Sequence, residues 1–209
     1  YYAILAKKGF FTLDELRKNF LTDGGLLGGH PDRNAMPGID INSGSLGHAL
    51  SIAAGIALAA KKDNSKRKSF ALIGDGECNE GMIWESALFA SQFKLDNLIA
   101  ILDLNGLQGL GRTEEVLNLQ SLSKKFESFG WNVLEINGHD FNEINQSFNS
   151  CSEIKDKPTI IIAKTIKGKG SASMENTLKS HYETLSKERY KEVSKEIDSY
   201  IEKNILDLW

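Results

Sequence analysis

Cysteine is scarce: Cys78 and Cys151 are the only two in 209 residues. Neither belongs to a CxxC pair or a Cys/His cluster, so a disulfide framework and a zinc site are both excluded as first readings. A reducing, cytoplasmic setting is the expectation. Positive charge is not in excess, and the net charge of −3 offers no basic field for nucleic acid. No apolar run approaches the ~18–20 residues of a membrane span. No basic-then-apolar segment opens the chain. Internal repeats and low-complexity tracts are absent. So are the GxGxxG of a dinucleotide fold and the GK[ST] ending of a P-loop.

What is present is enough for a core. Hydrophobic residues make up 41% and charged residues 25% of the chain, an ordinary globular balance. The chain opens on Tyr1 rather than Met, in a segment that already reads as a helix. The expectation is a fragment, or a chain whose amino-terminal part is missing.

Tyr1 to Lys8 is apolar-periodic, and Gly9 suits its C-terminal cap. Thr12 to Glu15, "TLDE", has capping-box spacing and starts a second helix running to about Phe20. Leu21 to Gly44 reads as a long loop of the kind that is usually functional. Ser45 to Lys61 is small and apolar and predicts a buried helix, with Gly47 and Gly55 allowing close approach to a sheet. Ser69–Ile73, Asn97–Asn105, Asn132–Ile136 and Thr159–Ala163 are predicted strands. Gly81–Phe93, Ser121–Ser128 and Asp140–Phe148 are predicted helices, the first with Ile83, Ala87, Leu88 and Ala90 as its apolar face. Glu183 to Asn204 is a predicted charged surface helix, with Glu183 and Lys187 as a stabilising pair and Val193, Ile197 and Ile201 as its stripe.

Apolar strands alternating with helices predict an α/β fold, a parallel sheet with helices on both faces. Ligands in such sheets sit beyond the carboxyl ends of the strands. Two polar strand exits therefore matter: Gly74–Gly81 and Asp103–Gly111. Asp75 and Asn105 are 30 positions apart, one crossover between neighbouring parallel strands. An Asp oxygen, an Asn carbonyl oxygen and a backbone carbonyl make a hard, oxygen-only site suited to Mg²⁺ and phosphate. Glycine lets the backbone come close to a phosphate. By itself Gly74-Asp75-Gly76 is also a common turn. Cys78, inside the same stretch, reads as a small filler on that turn.

The stretch "GDGECNEGMIWESALFASQFKLDNLIAILDLNGLQ" resembles the thiamine diphosphate-binding motif. With "GHPD", "PGIDINSGSLGHALSIAAGIALAAK", "NGHDF" and "KPTIIIAKTIKGKG" it resembles transketolase, in the diphosphate-binding half. The likeness runs from Tyr1 to about His181. Length and ending resemble the amino-terminal subunit of a split transketolase.

The resemblance implies thiamine diphosphate and Mg²⁺ (or another divalent ion such as Ca²⁺ or Mn²⁺) as cofactors. It implies Asp75, Asn105 and the Leu107 carbonyl as metal ligands. Gly76 and Asn105 would contact the diphosphate, and Gly44, Ser45 and Leu46 would lie against the cofactor. Ser45 stands where relatives often have proline, and could equally cap the following helix. His30 and His181 are the implied catalytic histidines, His181 also lying near the cofactor. Tyr182 stands where the family usually has glycine. Glu80 matches an acid at the family's subunit interface, and equally suits a helix N-terminus. His48 and His139 read as structural. Residues 1–209 would form one cofactor-binding domain.

The implied reaction moves a two-carbon ketol unit from a ketose phosphate to an aldose phosphate, with the cofactor as electron sink. The implied partner is a pyrimidine-binding, carboxy-terminal subunit, with sugar phosphates for substrates and a dimer or heterotetramer for the assembly. Nucleic acid and membrane are not expected partners. Two other outcomes stay open: a different thiamine diphosphate enzyme (a deoxyxylulose-phosphate synthase or an oxo-acid dehydrogenase alpha subunit), or a non-catalytic dimerising subunit.

Overall fold

The computed structural model describes residues 1–204, and the backbone forms two compact units, Tyr1–His48 and Ala49 onward.

In the first unit, α1 (Tyr2–Lys7) ends at Lys8, and Gly9 takes a φ of +84°. The Gly9 N–H then reaches the Ala6 carbonyl and the Phe10 N–H the Leu5 carbonyl, which closes the helix end. α2 (Leu13–Asn19) starts on the expected capping box. The Thr12 hydroxyl accepts the Glu15 N–H at 3.1 Å, and the Glu15 carboxylate accepts the Thr12 N–H at 2.7 Å. Residues 21–44 carry no helix and no ladder strand beyond an isolated bridge from Phe20 to Leu27. Tyr2, Leu5, Ala6, Phe11, Leu27, Met36 and Ile39 supply this unit's own small core.

The second unit is built on one parallel sheet. α3 (His48–Lys62) leads into β1 (Ser69–Gly74). A 3-10 turn over Gly76–Asn79 then feeds α4 (Gly81–Gln92) and β2 (Leu98–Leu104). A hairpin follows, β3 (Leu107–Gln108) with β4 (Gly111–Arg112), and then α5 (Thr113–Val116) and α6 (Leu122–Ser128). The chain continues through β5 (Asn132–Asn137), α7 (Phe141–Ser150) and β6 (Thr159–Lys164), and ends its described part in α8 (Lys187–Asn204). The sheet order is β1-β2-β6-β5, parallel throughout. The parallel sheet expected from the alternating pattern is the one observed.

The sheet buries its two faces differently. On one, α3, α4 and α6 pack Leu50, Ala53, Ile83, Ala87 and Phe126 against Ala71, Ile73, Leu98, Leu102 and Ile160. On the other, Cys151 and the partly buried Phe148 meet Ile99 and Ile161. Phe70 and Leu72 of edge strand β1 remain exposed. Phe126 is fully buried, with ring centroids 5.2 Å from Trp84 and 5.5 Å from Trp131. Phe126→Ala should therefore lower unfolding stability by about 3–5 kcal/mol, read from urea denaturation. A loss under about 1 kcal/mol would mean this aromatic cluster does not carry the core.

Several expectations fail in detail. Gly55 is exposed, and a side chain there would meet nothing within 4 Å, so it permits no close approach. α3 is only half-buried, since Ile56 on its other side is open. Its first residue is His48, so Ser45 lies before the helix start and is not its cap. Leu88 is exposed rather than part of the α4 core face. α8 begins at Lys187, which leaves Glu183 outside it. Glu183 pairs instead with Lys179 at 3.1 Å and Arg189 at 3.7 Å. Of the α8 stripe only Val193 is buried, while Ile197 and Ile201 stay exposed.

Candidate functional site

β1 and β2 are neighbours, and their register pairs Gly74 with Asp103. Their exits therefore deliver Asp75 and Asn105 to one point on the carboxyl edge of the sheet. The backbone ties the two exits together, since the Asp75 N–H donates to the Asp103 carbonyl at 3.2 Å.

Asp75 is 4% exposed. One carboxylate oxygen accepts the Gly76 N–H at 2.7 Å and the other accepts the Gly106 N–H at 2.6 Å. Burial pushes its carboxyl above the ordinary carboxylate range, and the nearby Asp103 charge adds to this. The N–H groups of Gly106, Gly76 and Asn105 pull the other way. A buried acid with a second acidic neighbour is a place where a cation would be welcome.

Asn105 begins the turn into the β3–β4 hairpin. Its side-chain oxygen accepts the Leu107 N–H at 3.0 Å, and its amide group faces Asp103 at 3.4 Å. The hairpin folds back over the 3-10 turn after Asp75. A side chain on Gly76 would lie 2.7 Å from the Gln108 Cβ, so only glycine fits there. Asn79 locks the same approach by donating to the Gln108 side-chain oxygen at 3.1 Å. Beside Asp75 opens a cavity of about 330 Å³, lined also by Asn79, Leu104, Thr113, Leu117 and Gln120.

Cys78 is fully buried in the 3-10 turn, and burial together with the Glu77 and Asp75 charges pushes its thiol up to about 12. It is a structural filler, as its place on the turn suggested.

The structure thus brings together Asp75, Gly76, Asn105 and Leu107. His181 joins the same hairpin from the loop after β6: a side chain on Gly109 would run into the Tyr182 hydroxyl and lie 3.5 Å from the His181 Nε2. The His181 and Tyr182 rings meet edge to face at 4.6 Å. His30, Gly44, Ser45 and Leu46 belong to the first unit. There the His30 ring lies over Gly44, whose φ is +124° and whose added side chain would come within 2.7 Å of the ring. Ser45 and Leu46 are exposed beside it. Glu80 is exposed at the start of α4 and makes no side-chain cap bond. His48 lies beside the Leu46 carbonyl at 3.3 Å. Among the described residues, no group of three or more His, Cys, Asp or Glu side chains is placed to hold a metal ion.

Asn79, Gln108, Asp103 and Thr165 belong to this edge too, and none was legible as a site residue in the sequence. The Thr165 hydroxyl donates to Asp103. The available signal for Asp103 was a charge inside an otherwise apolar strand. For Gln108 and Thr165 no local pattern gave one.

Fold and strand exits define a parallel α/β domain whose carboxyl sheet edge carries the buried Asp75 with Asn105 beside it. A family model described as "Transketolase, thiamine diphosphate binding domain" matches residues 1–203. The chain belongs to this transketolase family. It is 43% identical over 202 residues to one of the subunits of apulose-4-phosphate transketolase from Phocaeicola vulgatus, covering 97% of this chain and 71% of that one. To 6-deoxy-6-sulfo-D-fructose transketolase subunit SqwG of a Clostridium species it is 41% identical, covering 94% and 71%. The crystal structure of Campylobacter jejuni transketolase superposes with a TM-score of 0.82 at 34% identity, covering 90% of this chain. The chain spans 30% of that solved enzyme's length.

Proposed function

We propose that this chain is the diphosphate-binding subunit of a split transketolase. In this reading it holds thiamine diphosphate and a divalent ion, Mg²⁺ or a similar ion such as Ca²⁺ or Mn²⁺. With a pyrimidine-binding partner subunit it moves a two-carbon ketol unit from a ketose to an aldose acceptor. The relatives' names mention a phosphosugar and a sulfosugar, so a terminal anion on the substrate is the shared chemistry. Assembly as a dimer or heterotetramer and a cytoplasmic setting in carbohydrate metabolism complete the proposal.

One observation carries it: Asp75 and Asn105 converge at adjacent strand exits, with Asp75 buried. The donor set fits a hard cation, since Asp75, Asn105 and the Leu107 carbonyl offer oxygen only. Backbone N–H groups take up part of the Asp75 carboxylate's acceptor capacity and leave the rest for a cation. A divalent ion would offset the charge that Asp75 and Asp103 place side by side. Gly76 is assigned to the diphosphate, and its lack of a side chain lets Gln108 pack against the turn after Asp75. His30 and His181 are assigned to substrate hydroxyl protons, a role imidazole performs near neutral pH. When bound, the cofactor supplies the electron sink for ketol transfer.

Calorimetric titration of the chain with thiamine diphosphate tests this. Saturable binding is expected with Mg²⁺ and none in excess chelator. Equal binding in both would remove the metal from the reading, and no binding in either would remove the cofactor.

A further inference from the structure

The four strand exits are joined by a polar chain that extends well past the proposed ligands. At the β5 exit, His139 Nε2 accepts the Ile166 N–H at 2.8 Å. At the β6 exit, the Thr165 N–H donates to the Leu104 carbonyl at 3.1 Å, and its hydroxyl donates to the Asp103 carboxylate. At the β2 exit, the same Asp103 oxygen faces the Asn105 amide at 3.4 Å. The Asp103 carbonyl in turn receives the Asp75 N–H of the β1 exit. Gly138 keeps Thr165 in place, because a side chain there would sit 2.5 Å from the Thr165 methyl and 3.0 Å from the Ala163 Cβ.

We propose that Asp103 and Thr165 are positioning residues that set the orientation of the Asn105 carboxamide for the cation. A carboxamide can present either end, and its neighbours decide which. An ionised carboxylate only accepts, so Asp103 can face only the NH₂ end of Asn105. The Asn105 oxygen is thereby turned away from Asp103, where it accepts the Leu107 N–H at 3.0 Å, on the residue whose carbonyl is the third member of the proposed donor set. Thr165 fixes the Asp103 carboxylate through the same oxygen that faces Asn105, and the Gly138–His139 turn packs against Thr165 and holds its neighbour Ile166. Neither residue needs to touch the cofactor. Such outer partners commonly matter by about ten- to hundred-fold in metal affinity.

This inference rests on the cofactor reading above, and the test separates the two. Mg²⁺-dependent thiamine diphosphate binding by the full chain is measured by calorimetry in Thr165→Val, Thr165→Ser, Asp103→Asn and Asn105→Ala. Thr165→Val and Asp103→Asn should each weaken binding by about ten-fold or more, whereas Thr165→Ser should stay within about two-fold of wild type. In an Asn105→Ala background, Thr165→Val should have no further effect, because its route to the cation is already gone. Thermal melts show which variants fold, and Asp103→Asn carries the test if Thr165→Val does not. Wild-type binding that survives Thr165→Val or Asp103→Asn, a serine variant as weak as valine, or additive losses with Asn105→Ala would each overturn the positioning role. A wild type that binds nothing would remove the cofactor reading, and this inference with it.

Discussion

Asp75→Ala is expected to weaken Mg²⁺-dependent thiamine diphosphate binding by roughly a hundred-fold or more, with the fold retained. The residue is the only charged member of the proposed donor set, and a hard cation needs that charge. Its loss orphans the Gly76 and Gly106 N–H groups, which should cost on the order of 1–2 kcal/mol of stability. Part of that cost is offset, because burying the charge is itself unfavourable: the Asp75 carboxyl sits above its ordinary range. A carboxyl raised by folding favours the protonated native state. Its contribution to stability is present below the unfolded value of 3.8 and is lost as pH rises through the folded value. Cation binding runs the opposite way, since proton and metal compete for the same oxygens. Wild-type affinity should therefore fall as pH is lowered, beginning above the range of an unperturbed aspartate. Calorimetry over a pH series, with thermal melts of the metal-free chain, reads both slopes. Binding by Asp75→Ala at wild-type strength would sink the metal assignment.

The purified chain alone is expected to give no ketol transfer above the buffer blank, and activity should appear on adding a pyrimidine-binding subunit. The chain spans 30% of the Campylobacter jejuni transketolase it superposes on, and relatives of similar make-up are named as subunits. α4 exposes Leu88 (55%) and Phe89 (38%), and Phe93 (46%), just past its end, lies against Phe89 at 4.5 Å between ring centroids. Apolar surface of this kind is typical of a protein contact face. A coupled assay for the aldehyde product, with and without the second subunit, measures the difference. Turnover by the chain alone would refute the shared active site. Silence with a competent partner present would favour the non-catalytic dimerising alternative.

Much of the chain was legible locally, because its signals act over a few residues. The Thr12–Glu15 capping box and the Gly9 helix end involve neighbours three to five positions apart, and both form as expected. The four apolar runs became the four strands of the sheet, with ends moved by about a residue. The start of α8 lies four residues later than the pattern predicted. Glu183 left the predicted helix pair for Lys179 and Arg189. The hairpin at Leu107–Arg112 escaped notice because two-residue strands are too short to show a period.

Composition and pattern by themselves determined the parallel α/β class, the strands, and the two polar exits holding Asp75 and Asn105. Only the tertiary structure decided the order β1-β2-β6-β5, and with it which exits meet. It alone placed Thr165 on Asp103, 62 positions away, and turned Gly55 and Leu88 outward. Hydrophobic periodicity records that a face is buried, but many pairings bury the same area. Which strand lies beside which, and which polar groups then come within hydrogen-bonding reach, is settled only when the whole sheet packs.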